Sequence, residues 1–80
     1  MRYKGNEPAI YMFYYQTEKM IGVSTPYLTR SKIDAKRYLE NLHKHCYKPR
    51  VYITVFNEDL LVIYESDITG FKGEDIEWLN

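Results

Sequence analysis

One segment of the sequence has the length and periodicity of a complete α-helix, and it constrains the fold more than any other feature. The segment covers residues 31–47 and begins with Ser31 and Asp34, whose spacing is that of a capping box. An apolar stripe then recurs at helical spacing: Ala35, Leu39, Leu42 and Cys46, widened by Tyr38. Pro49 follows, and the residue before a proline disfavours helical geometry. The pattern predicts one helix with a single apolar side, which needs another layer to pack on.

The helical segment is flanked by segments with the alternation of β-strands. These are residues 9–16 and 20–25 before it, and residues 50–56 and 60–66 after it. The element order ββαββ predicts an α+β fold of two layers, in which a four-stranded, mainly antiparallel sheet carries the helix on one face. We expect one domain, with an N-terminal arm (1–8), a core (9–66) and an acidic C-terminal segment (67–80) that can form a short helix.

Composition favours a folded domain in a reducing compartment. Hydrophobic residues make up 45% of the 80 residues and nine are tyrosine, whereas disordered chains are poor in aromatics. No apolar run is long enough to span a membrane, and the N-terminus lacks the cleavage site of a signal peptide, so we expect no membrane partner. One cysteine cannot form an internal disulfide. These features predict a cytoplasmic protein.

The formal net charge of zero results from two halves of opposite sign. Residues 1–50 carry ten Lys or Arg against four Asp or Glu, and residues 51–80 carry one against seven. This division is compatible with two surfaces of opposite potential, and equally with two halves whose charges cancel once the chain is folded.

The alternating strands also predict two different sheet faces. We expect the helix to pack on Val51, Ile53 and Val55, together with Ile21 and Val23. The other face is predicted to be aromatic, and its expected residues are Tyr11, Phe13, Tyr15, Tyr52 and Phe56, with Tyr64 as a further member. Three explanations of this face remain open. The C-terminal segment covers it through Phe71, Ile76, Trp78 and Leu79, or it is a protein interface, including one between two copies, or it stacks nucleic-acid bases.

The residue types that carry catalysis or hold metals do not form a recognisable pattern. His43 and Cys46 can share a helix face, but with His45 they do not make a complete zinc site within one chain. Cys46 falls on the apolar stripe and is expected to pack in the core. There is no glycine-rich phosphate loop. We therefore expect a protein that is not an enzyme and that has no cofactor.

Basic residues are concentrated in and around the helix. The candidate binding residues among them are Lys32, Lys36, Arg37 and Lys44. Lys36, Glu40 and Lys44 have the spacing of an ordinary solvated helix face, whereas contact with phosphates is the functional alternative. Because the chain has no net positive charge, the pattern favours the solvated or protein-contacting interpretation over a dedicated duplex binder.

The sequence resembles small phage-encoded accessory proteins, including anti-CRISPR proteins that bind the host surveillance complex. The resemblance rests on the order of elements, with Asp34-Ala35-Lys36-Arg37 in the helix, the hairpin over residues 51–64 and the aromatic end at Trp78. It implies that surface lysines, arginines and tyrosines block nucleic acid from a host complex. Lys32, Lys36 and Arg37 match that role, while the acidic C-terminal segment departs from a purely basic blocker.

The sequence therefore predicts a non-catalytic, phage-type inhibitor that occupies a surface of a host protein or nucleoprotein complex in the host cytoplasm. The alternative is a small nucleic-acid-binding module that uses the basic helix and the sheet aromatics. A homodimer through the aromatic sheet face is a further expectation.

Overall fold

The structure is a computed structural model that describes residue 5 and residues 8–79. Its elements are β1 (Ile10–Gln16), β2 (Tyr27–Thr29), α1 (Lys32–His45), β3 (Arg50–Phe56) and β4 (Val62–Asp67), followed by two short 3₁₀ turns, Gly73–Asp75 and Glu77–Leu79. The predicted α+β class and the ββαββ order are confirmed. The predicted arm over residues 1–8 falls mostly outside the described residues.

The four strands form one antiparallel sheet in the order β2-β1-β3-β4. Strands β1 and β3 lie in the centre and pair along their whole length, from Ile10 opposite Phe56 to Gln16 opposite Arg50. Strand β4 pairs with β3 through a register shift at Val55 and Phe56. The sheet is therefore held together by its two longest strands, which are far apart in sequence.

Helix α1 begins where the sequence predicts. The Ser31 side chain accepts a hydrogen bond from the Asp34 backbone N–H at 3.2 Å. The reciprocal half of the capping box is replaced, because the Ser31 N–H donates to Thr29 Oγ1 at 3.0 Å. At the other end the Cys46 N–H bonds the Leu42 carbonyl at 2.9 Å, and Cys46 packs half-buried against the core as expected.

The second strand lies later in the chain than predicted. Residues 20–25 are a loop, in which Ile21 and Val23 are 105% and 55% exposed, so their predicted place under the helix is wrong. Ser24 holds this loop to the end of β1, because its N–H donates to the Tyr15 carbonyl and its hydroxyl accepts from the Tyr15 N–H. The strand that pairs with this edge of β1 is β2, in which Tyr27 lies opposite Phe13.

The core lies on one side of the sheet, beneath α1 and the C-terminal turns. The helix contributes Ala35, Leu39 and Leu42, all at most 6% exposed. The sheet contributes Tyr11, Phe13, Val51, Ile53 and Val55, and the C-terminal segment contributes Ile68, Ile76 and Leu79. Placement of Val51, Ile53 and Val55 on the helix side is thus confirmed.

Strand β4 begins two residues later than predicted because of the turn before it. The Asn57 side-chain oxygen accepts from the backbone N–H groups of Asp59 and Leu61 at 2.9 and 3.0 Å. These bonds keep Leu60 and Leu61 in the turn, where they are 67% and 62% exposed. The hairpin tip consequently presents apolar side chains outward.

Candidate interaction surface

The sheet face turned away from α1 is the candidate functional surface, and we call it the open face. Since side chains alternate along a strand, it takes the residues between the core positions of β1 and β3. Its apolar members on β1, β2 and β3 are Ile10, Met12, Tyr14, Leu28, Tyr52 and Phe56, by the pairing of the strands. Helix α1 and the C-terminal turns pack on the opposite face. Leu28 is 58% exposed, and the other five are partly exposed.

Two tyrosines form the centre of the open face. Tyr14 and Tyr52 lie directly opposite each other on β1 and β3, and their rings stack with centroids 5.1 Å apart and planes 22° apart. Thr54, the next open-face residue along β3, is only 8% exposed. The centre is thus a stacked pair of aromatic rings on the two central strands of the sheet.

Charged side chains of both signs border this aromatic centre. Arg50 lies two residues before Tyr52 along β3 on the same face, while Glu65 and Asp67 lie opposite Thr54 and Tyr52 on β4. Hydrogen bonds from the Thr69 side chain and backbone, helped by nearby Arg50, lower the pKa of the Asp67 carboxyl. The open face therefore carries a negative charge on β4 and a positive charge on β3 at neutral pH.

The structure separates the predicted aromatic residues into two groups. Tyr52 and Phe56 lie on the open face, as predicted. Tyr11 and Phe13 are 2% and 0% exposed, and with the half-buried Tyr15 they face the helix, so their predicted exposure beside Tyr52 is wrong.

The cause is the register of β1 against β3. Phe13 pairs with Ile53, and its neighbours Tyr11 and Tyr15 pair with Val55 and Val51, which are helix-side residues. Both alternate sets of β1 are apolar and rich in aromatics, so periodicity alone does not show which set is covered. Sequence reasoning misses Met12 and Tyr14 for this reason. The alternation of β3 shows which of its own residues face the helix, but Met12 and Tyr14 can be assigned to the open face only when the register between β1 and β3 is also known.

The C-terminal segment packs on the helix side of the sheet, where Tyr11 lies, and not on the side of Tyr52 and Phe56. The predicted explanation that it covers the aromatic face away from the helix is therefore wrong. Trp78 stacks on Tyr11 with ring centroids 5.6 Å apart and meets the edge of Tyr64 at 5.8 Å. Ile76 and Leu79 are buried beside it, whereas Phe71 is 50% exposed. This segment and the helix together account for the buried aromatics, and no helix or strand among the described residues covers the opposite face.

The basic candidate residues do not adjoin the open face, because α1 lies on the other side of the sheet. Arg37 and Lys44 are exposed. Lys32 donates a hydrogen bond from Nζ to the Gly5 carbonyl. Lys36 packs closely against Gly73, because a Cβ added to Gly73 would lie 2.9 Å from Lys36 Cγ. The helix cations and the open-face aromatics are therefore two separate surfaces.

A cleft of about 350 Å³ lies between α1 and the C-terminal turns. It is lined by Glu40, His43, Lys44, Lys72 and Glu74. His43 Nε2 lies 2.9 Å from the Phe71 carbonyl oxygen, a contact that ties the C-terminal segment to the helix. The lining thus carries charges of both signs, and it includes the histidine that contacts the C-terminal segment.

Within residue 5 and residues 8–79, no three His, Cys, Asp or Glu side chains come together as a metal site. No helix in the same part of the chain has the length and apolar character needed to cross a membrane. Comparison with protein-family models, with curated proteins and with solved structures gives no match.

Proposed function

We propose that this chain is a non-catalytic binding protein that docks its open face on a protein partner. The observation that carries the proposal is the open face itself, with Met12, Tyr14, Tyr52 and Phe56 on the two central strands and Leu28 at the edge. Contiguous apolar surface left in water is costly, and such patches mark interaction sites in soluble proteins. Tyrosine and phenylalanine are also the side chains that interface centres favour.

The geometry of the open face suits a preorganised contact. Its central residues belong to strands that pair over seven residues, so little backbone freedom is lost on binding. Tyr14 and Tyr52 already hold each other by stacking, and their hydroxyl groups can donate or accept hydrogen bonds at an otherwise apolar centre. Binding of this kind acts by occupying a surface and needs no chemical step.

The resemblance to phage anti-defence proteins suggests which kind of partner the open face binds and what the binding does. By this resemblance the partner is a host protein or nucleoprotein complex, and occupation of its surface inhibits it. The helix cations Arg37 and Lys44, exposed on the other side of the molecule, then point away from the docked partner. The docked chain would block the approach of nucleic acid to the complex by its bulk, because these positive charges attract phosphates rather than repel them.

Nucleic acid is the alternative ligand of the open face, and one observation favours it. Neighbouring aromatic rings on the central strands of a sheet can stack bases, as Tyr14 and Tyr52 are placed to do. The charges oppose it, because Glu65 and Asp67 lie on the same face and would repel phosphates. Since the basic helix lies on the other side of the sheet, a protein partner is favoured.

A pull-down from bacterial lysate with and without nuclease tests the proposal, using two matched variants. Tyr52→Glu places a charge at the centre of the open face, and Ile33→Glu places one on the helix, where Ile33 is 63% exposed. We expect a stoichiometric protein that survives nuclease, is lost with Tyr52→Glu and is retained with Ile33→Glu. Loss on nuclease treatment would establish the nucleic-acid alternative. Equal capture by both variants would exclude the open face as the docking surface.

A further inference from the structure

We infer that a second copy of this chain covers the open face when no other partner occupies it, so that the free protein is a reversible two-fold dimer. The inference rests on the proposed function because it names an occupant of the same surface. It is carried by the charge pattern of the face, by its area and by the neutrality of the chain.

The charge pattern suits self-pairing. A two-fold contact places a surface against itself, so a face of a single sign would meet its own charge. The open face instead carries Arg50 on β3 and the carboxylates of Glu65 and Asp67 on β4. Arginine from one copy can therefore meet a carboxylate of the other while the apolar residues between them are covered.

The shape of the face suits a stack of two sheets. Face-to-face sheets pack about 10 Å apart with interdigitated side chains, and the side chains at the centre of this face are large enough for that contact. The side chains that would interdigitate are Ile10, Met12, Tyr14, Leu28, Tyr52 and Phe56. The covered side of the same sheet packs against Leu39 and Leu42 of the helix.

The area of the face sets the strength of the pair. The four strands have 7, 3, 7 and 6 residues. At about 3.3 Å per residue and about 4.8 Å per strand, they give a face of about 360 Å² per copy. Stable complexes bury about 800 Å² per partner, so a contact of this size is weaker than an obligate dimer. The formal net charge of zero adds no long-range repulsion between copies. These properties predict a concentration-dependent dimer that a larger partner can displace.

Analytical ultracentrifugation of the full chain tests the inference over a range from about 5 to about 500 µM, where a weak pair changes its population. The wild-type mass should rise from 9.7 kDa towards twice that value. Leu28→Glu charges the open face and should raise the dissociation constant at least about tenfold. Ile33→Glu is the matched control, because Leu28 and Ile33 are 58% and 63% exposed, and it should associate like the wild type.

A wild-type mass of 9.7 kDa at every concentration would overturn the inference. So would equal weakening by Leu28→Glu and Ile33→Glu, or assemblies that grow beyond two copies. Melting curves from circular dichroism confirm that each variant is folded, and Tyr52→Glu provides a second, central variant. The proposed function is judged separately by the pull-down. If the chain is monomeric in ultracentrifugation but captures a protein through Tyr52 in the pull-down, only the dimer is refuted. If it dimerises but captures no protein, only the proposed docking on a protein partner is refuted.

Discussion

At the scale of single residues, Tyr38 shows how tightly the helix is fitted to the sheet. Its ring stacks parallel to Tyr27 with centroids 4.6 Å apart and contacts Phe13 at 5.2 Å. The Tyr38 hydroxyl is buried without a hydrogen-bond partner among the described residues. Burial, followed by the neighbouring Tyr15 and Cys46, raises the pKa of Tyr38 to about 12, against a smaller lowering by Ser24. The hydroxyl of the packed ring lies near Ser24 but forms no hydrogen bond of standard geometry within that part of the chain.

Replacing that hydroxyl tests its cost directly. Tyr38→Phe keeps the ring contacts and removes a polar group buried without compensation, so the free energy of unfolding should stay the same or rise by about 1 kcal/mol at neutral pH. Urea denaturation measures this change. A loss of more than about 1 kcal/mol would show that the hydroxyl forms a stabilising hydrogen bond.

The same variant measures how much the titration of Tyr38 lowers the stability of the wild type at alkaline pH. The folded pKa of about 12 lies above the ordinary tyrosine pKa of 10.0, so the unfolded chain loses the Tyr38 proton first as pH rises. The contribution of Tyr38 to the free energy of unfolding is therefore complete below the unfolded pKa of 10.0, and it is lost as the pH rises to the folded pKa of about 12. Tyr38→Phe should therefore lose less stability in this range than the wild type. Tyr47→Phe, which removes a phenol that is 78% exposed, should decline as the wild type does.

At the scale of elements, the helix and the sheet stabilise each other through a few fully buried side chains. Leu39 is 0% exposed between α1 and the sheet. Leu39→Ala should lower the free energy of unfolding by about 2–5 kcal/mol, because it removes buried methyl groups and leaves a cavity. Leu61→Ala is the control, since Leu61 is 62% exposed, and it should change stability by less than about 0.5 kcal/mol. If Leu39→Ala and Leu61→Ala unfolded at the same temperature in thermal melts, this packing of Leu39 would be contradicted.

The elements that can be predicted from the sequence are those with one unambiguous pattern. Helix α1 has a cap at Ser31 and one apolar stripe, and β3 alternates between Val51 and Phe56 with clearly different faces. Strand β2 is not predictable in this way, because its three residues carry no alternation, whereas the loop before it does. What fixes β2 is tertiary: Ser24 holds the loop to Tyr15, and Tyr27 stacks on Tyr38.

The candidate site can be predicted only in part, for a related reason. Tyr52 and Phe56 are predictable because β3 has one aliphatic and one aromatic side. Met12 and Tyr14 are not, because both sides of β1 are apolar and only the register with β3 separates them. Sequence reasoning groups the basic residues of α1 with the aromatics, but their position relative to the open face depends on which side of the sheet the helix covers.

At the scale of the whole molecule, the fold is a two-layer domain in which the described residues cover one sheet face with the helix and place no helix or strand on the other. The helix and the C-terminal segment converge on the face of Tyr11 and Phe13. The other face keeps an apolar centre and a border of both charges. A domain of this size could bury more of its apolar surface by adding a layer there, and we propose that a partner or a second copy supplies that layer.

Site-specific photo-cross-linking in cells tests this central claim most directly. A photoreactive amino acid replaces either Leu28, on the open face, or Ile33, on the helix, at positions of similar exposure. We expect a defined protein adduct from position 28, with a second copy or a larger partner identified by mass, and none from position 33. Absence of an adduct at position 28, or the same adducts from both positions, would contradict the assignment of the open face as the docking surface.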